Sequence, residues 1–181
     1  MPIIRIFVFV ITLLSFAHHA FSAERATPFG LDIGADTLQS CKTIALEKGY
    51  SLSNAGTNKY TNGPMLNADI SQLNVNDVKN ILLIFSQDEL LEGVIFKSKK
   101  FNFENFEQYV AGKYQLLKRD VPFVGDKYAE YEAPNAVIQL DAPHLGFQMS
   151  VNYITQSLLD RFTQKSKADA AKQRKTEASQ F

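Results

Sequence analysis

The side chains that could carry catalytic chemistry are few and scattered along the 181-residue chain. A Ser-His-Asp or Cys-His arrangement would have to use His144, in a turn at 141–144, because the other two histidines lie within the first 23 residues. No G-x-S-x-G motif occurs, and Cys41 lies on the apolar stripe of a predicted helix. We therefore expect His144 to be an exposed turn residue and Cys41 a buried structural thiol.

Carboxylates offer a second kind of chemistry. Glu130 and Glu132 share one face of a predicted strand, where like charges also fit a solvated face. Paired carboxylates can converge from anywhere in a fold, so a carboxylate-dependent hydrolase is a less favoured alternative. Asp88, Glu89 and Glu92 cluster in a turn without the spacing of a calcium loop, which indicates a solvated acidic turn. Glycine-rich phosphate loops and dinucleotide motifs do not occur. We predict no catalytic residue, no metal ligand and no cofactor, and leave enzymatic activity open.

The first 23 residues have the pattern of a secretory signal peptide. Arg5 precedes an apolar run over 6–16, and small residues follow up to Ala23. The run is shorter than the ~20 residues that cross a bilayer, so we expect no stable membrane span after cleavage. This pattern predicts a periplasmic or secreted protein.

Two helices are predicted from capping signals and apolar spacing. The first covers 36–48, with Asp36 as N-cap, Gln39 completing a capping box and Gly49 as C-cap. The second covers 103–118, with Asn102 as N-cap and Phe101 packing on Phe106 as a hydrophobic staple. Its apolar face comprises Phe103, Phe106, Val110, Tyr114 and Leu117.

Alternating apolar and polar residues predict strands after each helix. The segment 80–85 is apolar on both faces, which indicates a central strand covered on both sides or one whose outer face meets something else. The predicted strands are 66–71, 80–85, 94–99, 128–132, 136–140 and 147–153.

The order of these elements predicts an α+β fold of two similar halves, at 29–100 and 101–154. Each half is a helix followed by three strands, and together the strands form an antiparallel sheet with the helices packed on one face. Residues 24–164 form a single domain with a short C-terminal helix starting near Ile154, after a polar lead-in at 24–28. Residues 165–181 carry a net charge of +3 and form a solvated tail or frayed helix.

A sheet covered by helices on one face leaves its other face for a partner. The polar positions of the predicted strands are therefore the candidate binding residues, although ordinary solvent exposure would give the same pattern. They are Asn67, Asp69, Lys97, Lys99, Tyr128, Glu130, Gln148, Ser150 and Asn152. The basic residues outside the tail are scattered, which argues against nucleic acid as the partner.

The segment Phe29-Gly30-Leu31-Asp32-Ile33-Gly34, leading into a capped helix and a hairpin, is typical of small exported bacterial proteins. The layout resembles the helix-plus-sheet repeats of the β-lactamase-inhibitor-protein and SmpA/OmlA outer-membrane-assembly group. That resemblance implies protein binding through the sheet or loops. The chain departs from the group in having no lipobox cysteine and no disulfide pair.

Together these observations predict an exported, non-catalytic binding protein of the bacterial envelope, such as an inhibitor, an immunity protein or an assembly accessory. The partner would be an envelope or secreted protein. The alternative is a small periplasmic protein that binds an apolar ligand or lipid between helices and sheet, as the 14 Phe and seven Tyr residues would allow.

Overall fold

The computed structural model describes residues 24–179, so the predicted signal peptide lies outside the described residues. The described residues form three α-helices: α1 (Leu38–Lys48), α2 (Phe103–Ala111) and α3 (Gln156–Ala178). The same residues form eight strands: β1 (Ser51–Thr57), β2 (Pro64–Asp69), β3 (Asn80–Phe85), β4 (Leu91–Lys99), β5 (Gln115–Asp120), β6 (Lys127–Ala133), β7 (Ala136–Ala142) and β8 (Gln148–Ile154).

All eight strands form one antiparallel sheet in the order β1-β2-β3-β4-β8-β7-β6-β5. The predicted α+β fold is confirmed, and each half has four strands rather than the expected three. The halves meet at the centre of the sheet, where β4 pairs with β8 and Phe96 lies opposite Val151. Each half runs from helix to edge strand to central strand, so the second half repeats the order of the first.

The extra strands, β1 and β5, are the two edges of the sheet. The helix predicted for 103–118 is wrong in its second half, because α2 ends at Ala111 and residues 115–120 form β5. Arg119 on β5 forms two hydrogen bonds, of 2.7 and 3.1 Å, with the buried Glu107 carboxylate of α2. Pairing with β6 and this ion pair outweigh the helical spacing of Tyr114 and Leu117. Both edge strands contain a register shift, between Asn54 and Thr57 in β1 and between Leu116 and Lys118 in β5.

The predicted caps are corrected in detail. The N-cap of α1 is Thr37, which forms a capping box with Ser40, whereas Asp36 accepts hydrogen bonds from the Asp32 N–H and the Ser40 hydroxyl. Gly49 ends α1 as predicted, in the left-handed region at φ 73°.

At the start of α2, Asn102 does not cap with its side chain. Its amide donates instead to the Asn76 carbonyl and the Ser98 hydroxyl. Phe101 is 70% exposed, so the predicted hydrophobic staple is absent.

The main core lies between α1, α2 and one face of the sheet, which we call the inner face. Cys41 is fully buried there, as predicted. Burial raises the pKa of its thiol to about 12, because the thiolate would lose its hydration. The core includes Ile81, Leu83, Val94, Phe96, Ile138, Leu140 and Val151 of the central strands.

The lead-in at 24–28 is more tightly held than its polar composition indicates. Ala26 is fully buried, and its N–H donates to the Asn135 side-chain oxygen at 2.7 Å. The Asn135 amide group donates in turn to the Ala26 and Ile33 carbonyls. The buried Ala26 amide needs a hydrogen-bond partner, and Asn135 in the turn between β6 and β7 provides it. This turn therefore holds the beginning of the first half in place.

Helix α3 packs on the other side of the sheet, the outer face. Leu158 is 4% exposed and forms a second apolar cluster with Ile84 and Ile154. Gly93 lies beneath it, where an added Cβ would be 3.2 Å from Leu158. The segment expected to be a solvated tail or frayed helix continues α3 to Ala178, with its side chains exposed after residue 164.

Candidate binding face

All nine residues predicted to bind a partner lie on the outer face. Strand register establishes this, because Lys97 pairs with Ser150 and Lys99 with Gln148, while their chain neighbours Phe96 and Ser98 point to the inner side. The remaining members follow from the same alternation: Asn67 and Asp69 on β2, Tyr128 and Glu130 on β6, and Asn152 on β8. The structure therefore brings the predicted set onto one surface.

One part of this face is a groove of about 590 Å³, which we call the lysine groove. Its floor includes Leu82 and Ile95, and three lysines line it: Lys79, Lys97 and Lys99. Lys99 forms a 2.9 Å ion pair with Asp77, and this contact holds the pKa of the Asp77 carboxyl below its usual value. Among the described residues, no carboxylate lies within 4 Å of the Lys79 or Lys97 amine.

A hydrogen-bonded cluster occupies the opposite side of the outer face. Glu130 accepts hydrogen bonds from the Tyr128 hydroxyl and from the Gln139 amide, the latter at 2.9 Å. Burial and the neighbouring Glu130 carboxylate raise the pKa of Tyr128. The Lys118 amine lies 5.4 Å from the centre of the Tyr128 ring. These contacts hold Tyr128 and Glu130 in fixed positions on β6.

A second concavity of about 400 Å³ lies between α3 and the sheet, and we call it the helix cleft. Its walls are mostly apolar, and one end carries the polar side chains of Gln139, Asp141 and Asn152. Its apolar lining residues are Leu82, Ile84, Ile95, Ile154, Leu158, Leu159 and Phe162. Leu82 and Ile95 also line the lysine groove, so the two concavities adjoin. The apolar outer side of β3 is therefore partly covered by the protein's own helix.

The residues considered for catalysis do not converge. His144 is exposed in the turn between β7 and β8, as expected. Glu130 and Glu132 both lie on the outer face. Glu130 accepts two hydrogen bonds, whereas Glu132 is exposed. Across residues 24–179, no three His, Cys, Asp or Glu side chains are grouped as a metal site would require.

The prediction of a solvated acidic turn at Asp88, Glu89 and Glu92 is wrong for one residue. Glu92 is buried rather than solvated, because its carboxylate forms an ion pair with Arg161 of α3 and accepts from the Ser157 hydroxyl at 3.3 Å. This ion pair and the apolar contacts of Leu158 together hold α3 against the sheet.

Sequence reasoning missed Lys79 and Asp77 in the lysine groove, because both lie in or near the loop between β2 and β3. It also missed the contribution of α3 to the helix cleft. The helical spacing of Leu158, Leu159 and Phe162 signals an apolar helix face, but not the part of the sheet that this face covers.

Comparison of the chain with protein-family models, with curated proteins and with solved structures found no match. Among the described helices, none combines the length and the apolar character needed to cross a membrane.

Proposed function

We propose that this chain is an exported, non-catalytic protein-binding module of the bacterial envelope, and that it binds an acidic segment of its partner in the lysine groove. The observation that carries the proposal is the pair of lysines, Lys79 and Lys97, which line a concave surface and form no ion pair within 4 Å among the described residues. The carboxylate of the groove itself, Asp77, pairs with Lys99. An acidic side chain of a partner would provide the missing charge complement.

The remainder of the groove supports this assignment. Leu82 and Ile95 supply an apolar floor, and Asn67 and Gln148 supply hydrogen-bonding groups at the sides. Protein interfaces combine an apolar centre with a polar rim in this way. The resemblance in layout to the inhibitor and outer-membrane-assembly group favours the same role, whether as inhibitor, immunity protein or assembly accessory.

Affinity capture from envelope extract tests the proposal. The bait is the chain starting at Glu24, compared with the double variant K79E/K97E. We expect the wild type to retain a partner stoichiometrically, and the charge reversal to weaken its binding by about tenfold or more, since like charges across an interface repel.

The matched control is K167E/K172E, which makes the same charge change on exposed positions of α3 outside the lysine groove. This control should retain the partner as the wild type does. Equal loss in both double variants would show a general charge effect and contradict binding in the groove. Loss of the partner only when residues after Gln164 are removed would place binding on α3 instead.

A further inference from the structure

The helix cleft is a second concave site whose lining differs in chemistry from that of the lysine groove. Two of its sides are apolar: the sheet contributes Leu82, Ile84 and Ile95, and α3 contributes Leu158 and Leu159. At about 400 Å³ it lies within the ~300–1,000 Å³ range of small-molecule sites. A cleft with facing apolar walls favours a hydrocarbon chain over a polar ligand.

One end of the cleft is polar. Gln139 and Asn152 are directly opposite each other on β7 and β8, and Asp141 follows on the same face. Among the described residues that line the cleft, Asp141 alone carries a charge. No described Lys or Arg amine lies within 4 Å of its carboxylate, and no described side chain donates a hydrogen bond to it.

Two aromatic rings and the buried Asn58 side chain also line the cleft. Tyr60 and Phe162 contact edge to face, with ring centres 5.2 Å apart. The amines of Lys59 and Lys165 lie 4.8 and 5.6 Å from the centre of the Tyr60 ring, and neither lysine lines the cleft. The charge presented to a ligand inside the cleft is therefore the negative charge of Asp141.

We propose that the helix cleft binds a single-chain amphiphile with a cationic amine head group. The hydrocarbon chain lies between α3 and the sheet, and the head group donates hydrogen bonds to Asp141 and Gln139. This site is separate from the proposed protein-binding site in the lysine groove, although the two share Leu82 and Ile95.

Isothermal titration with three ligands of equal chain length tests the proposal: decylamine, decanol and decanoate, each below its micellar concentration. We expect decylamine to bind the wild type about tenfold or more tightly than decanoate, with decanol between them, because an amine and a carboxylate form a charge-assisted hydrogen bond. Decanoate binding as tightly as decylamine would overturn the head-group assignment. Absence of binding by all three would overturn the cleft as a ligand site.

Two variants distinguish the contribution of the ligand's hydrocarbon chain to binding from that of its head group. D141N should reduce the preference of decylamine over decanoate to within about twofold while decanol binds as before, since only the charge is removed. L159W should weaken all three ligands by filling the cleft from a partly exposed position of α3. A D141N variant that keeps the full amine preference would contradict the assignment of Asp141. Partner capture by wild-type protein and K79E/K97E tests the lysine groove independently of these titrations.

Discussion

Asp141, which we propose to bind the amine head group, makes folding less favourable when it is charged. Its carboxyl is partly buried on the outer face, and this burial, together with the nearby Asp126 carboxylate, raises its pKa above the ordinary value. The folded chain therefore binds the proton more readily than the unfolded chain. Folding stability is reduced as pH rises through this raised pKa, because the charged form is better hydrated in the unfolded chain.

We therefore predict that D141N, which resembles the neutral form, is more stable than the wild type at pH 7. The difference should disappear near pH 3, where Asp141 is protonated in both folded and unfolded chains. Urea unfolding of both proteins at the two pH values measures it. Carboxyls with a lowered pKa, such as Asp77 and Glu104, also make stability depend on pH. They are present in both proteins, so the difference between the two stabilities reports Asp141 alone. A wild type that is the more stable protein at pH 7 would contradict this account.

At the level of helices and strands, sequence patterns predicted the structure best where contacts between residues close in the sequence determine it. Gly49 ends α1 because glycine readily adopts the left-handed conformation found there, and the alternation in β8 places its polar side chains on one face. The whole predicted binding set shares the outer face for the same reason, since side-chain direction in a strand follows from position.

The prediction was wrong where contacts between residues far apart in the sequence determine the secondary structure. The apolar spacing of Tyr114 and Leu117 continues that of α2, but residues 115–120 form β5 by pairing with β6 and by the contact of Arg119 with Glu107. An apolar site between helices and sheet was predicted only as an alternative. Its position under α3 could not be predicted, because it depends on how α3 crosses the sheet.

The Arg119–Glu107 ion pair should therefore be a main attachment of β5. R119A leaves the buried Glu107 carboxylate with only a long 3.4 Å hydrogen bond from Tyr131. We expect a loss of about 1–2 kcal/mol, less than the roughly 3–5 kcal/mol for a fully buried pair, because the Arg119 side chain is 49% exposed.

Hydrogen exchange measures the local effect of this change. The backbone amides of β5 should exchange faster in R119A, while those of β3 and β4 change only with global stability. K118A alters the neighbouring residue on the outer face and serves as the control. Equal exchange of β5 in R119A and K118A would show that the ion pair does not hold this strand.

For the molecule as a whole, the position of α3 predicts two different outcomes of shortening the chain. Ending at Gln164 removes exposed residues. Among the described residues, the removed segment is joined to the rest of the chain by the Lys165 amine, which donates to the Lys59 carbonyl and lies over the Tyr60 ring. We expect the melting temperature to change by no more than about 4 °C, corresponding to less than about 1 kcal/mol.

Ending at Ile154 removes all of α3 and uncovers Ile84 and Ile154. This shorter chain should melt at a clearly lower temperature and bind more of a fluorescent hydrophobic dye than the longer one, because more apolar surface becomes accessible. Calorimetry and dye binding on the two proteins provide the test. Equal melting temperatures would show that α3 contributes little to the folded domain.

The register shifts in β1 and β5 have a consequence for behaviour at high protein concentration. A regular edge strand offers an uninterrupted row of amide and carbonyl groups onto which another chain can add, and repeated addition leads to fibrils. Here both ends of the eight-stranded sheet are irregular, at Asn54–Thr57 and at Leu116–Lys118. The sheet therefore lacks a continuous template at either end, which disfavours strand-by-strand addition of further molecules at high protein concentration.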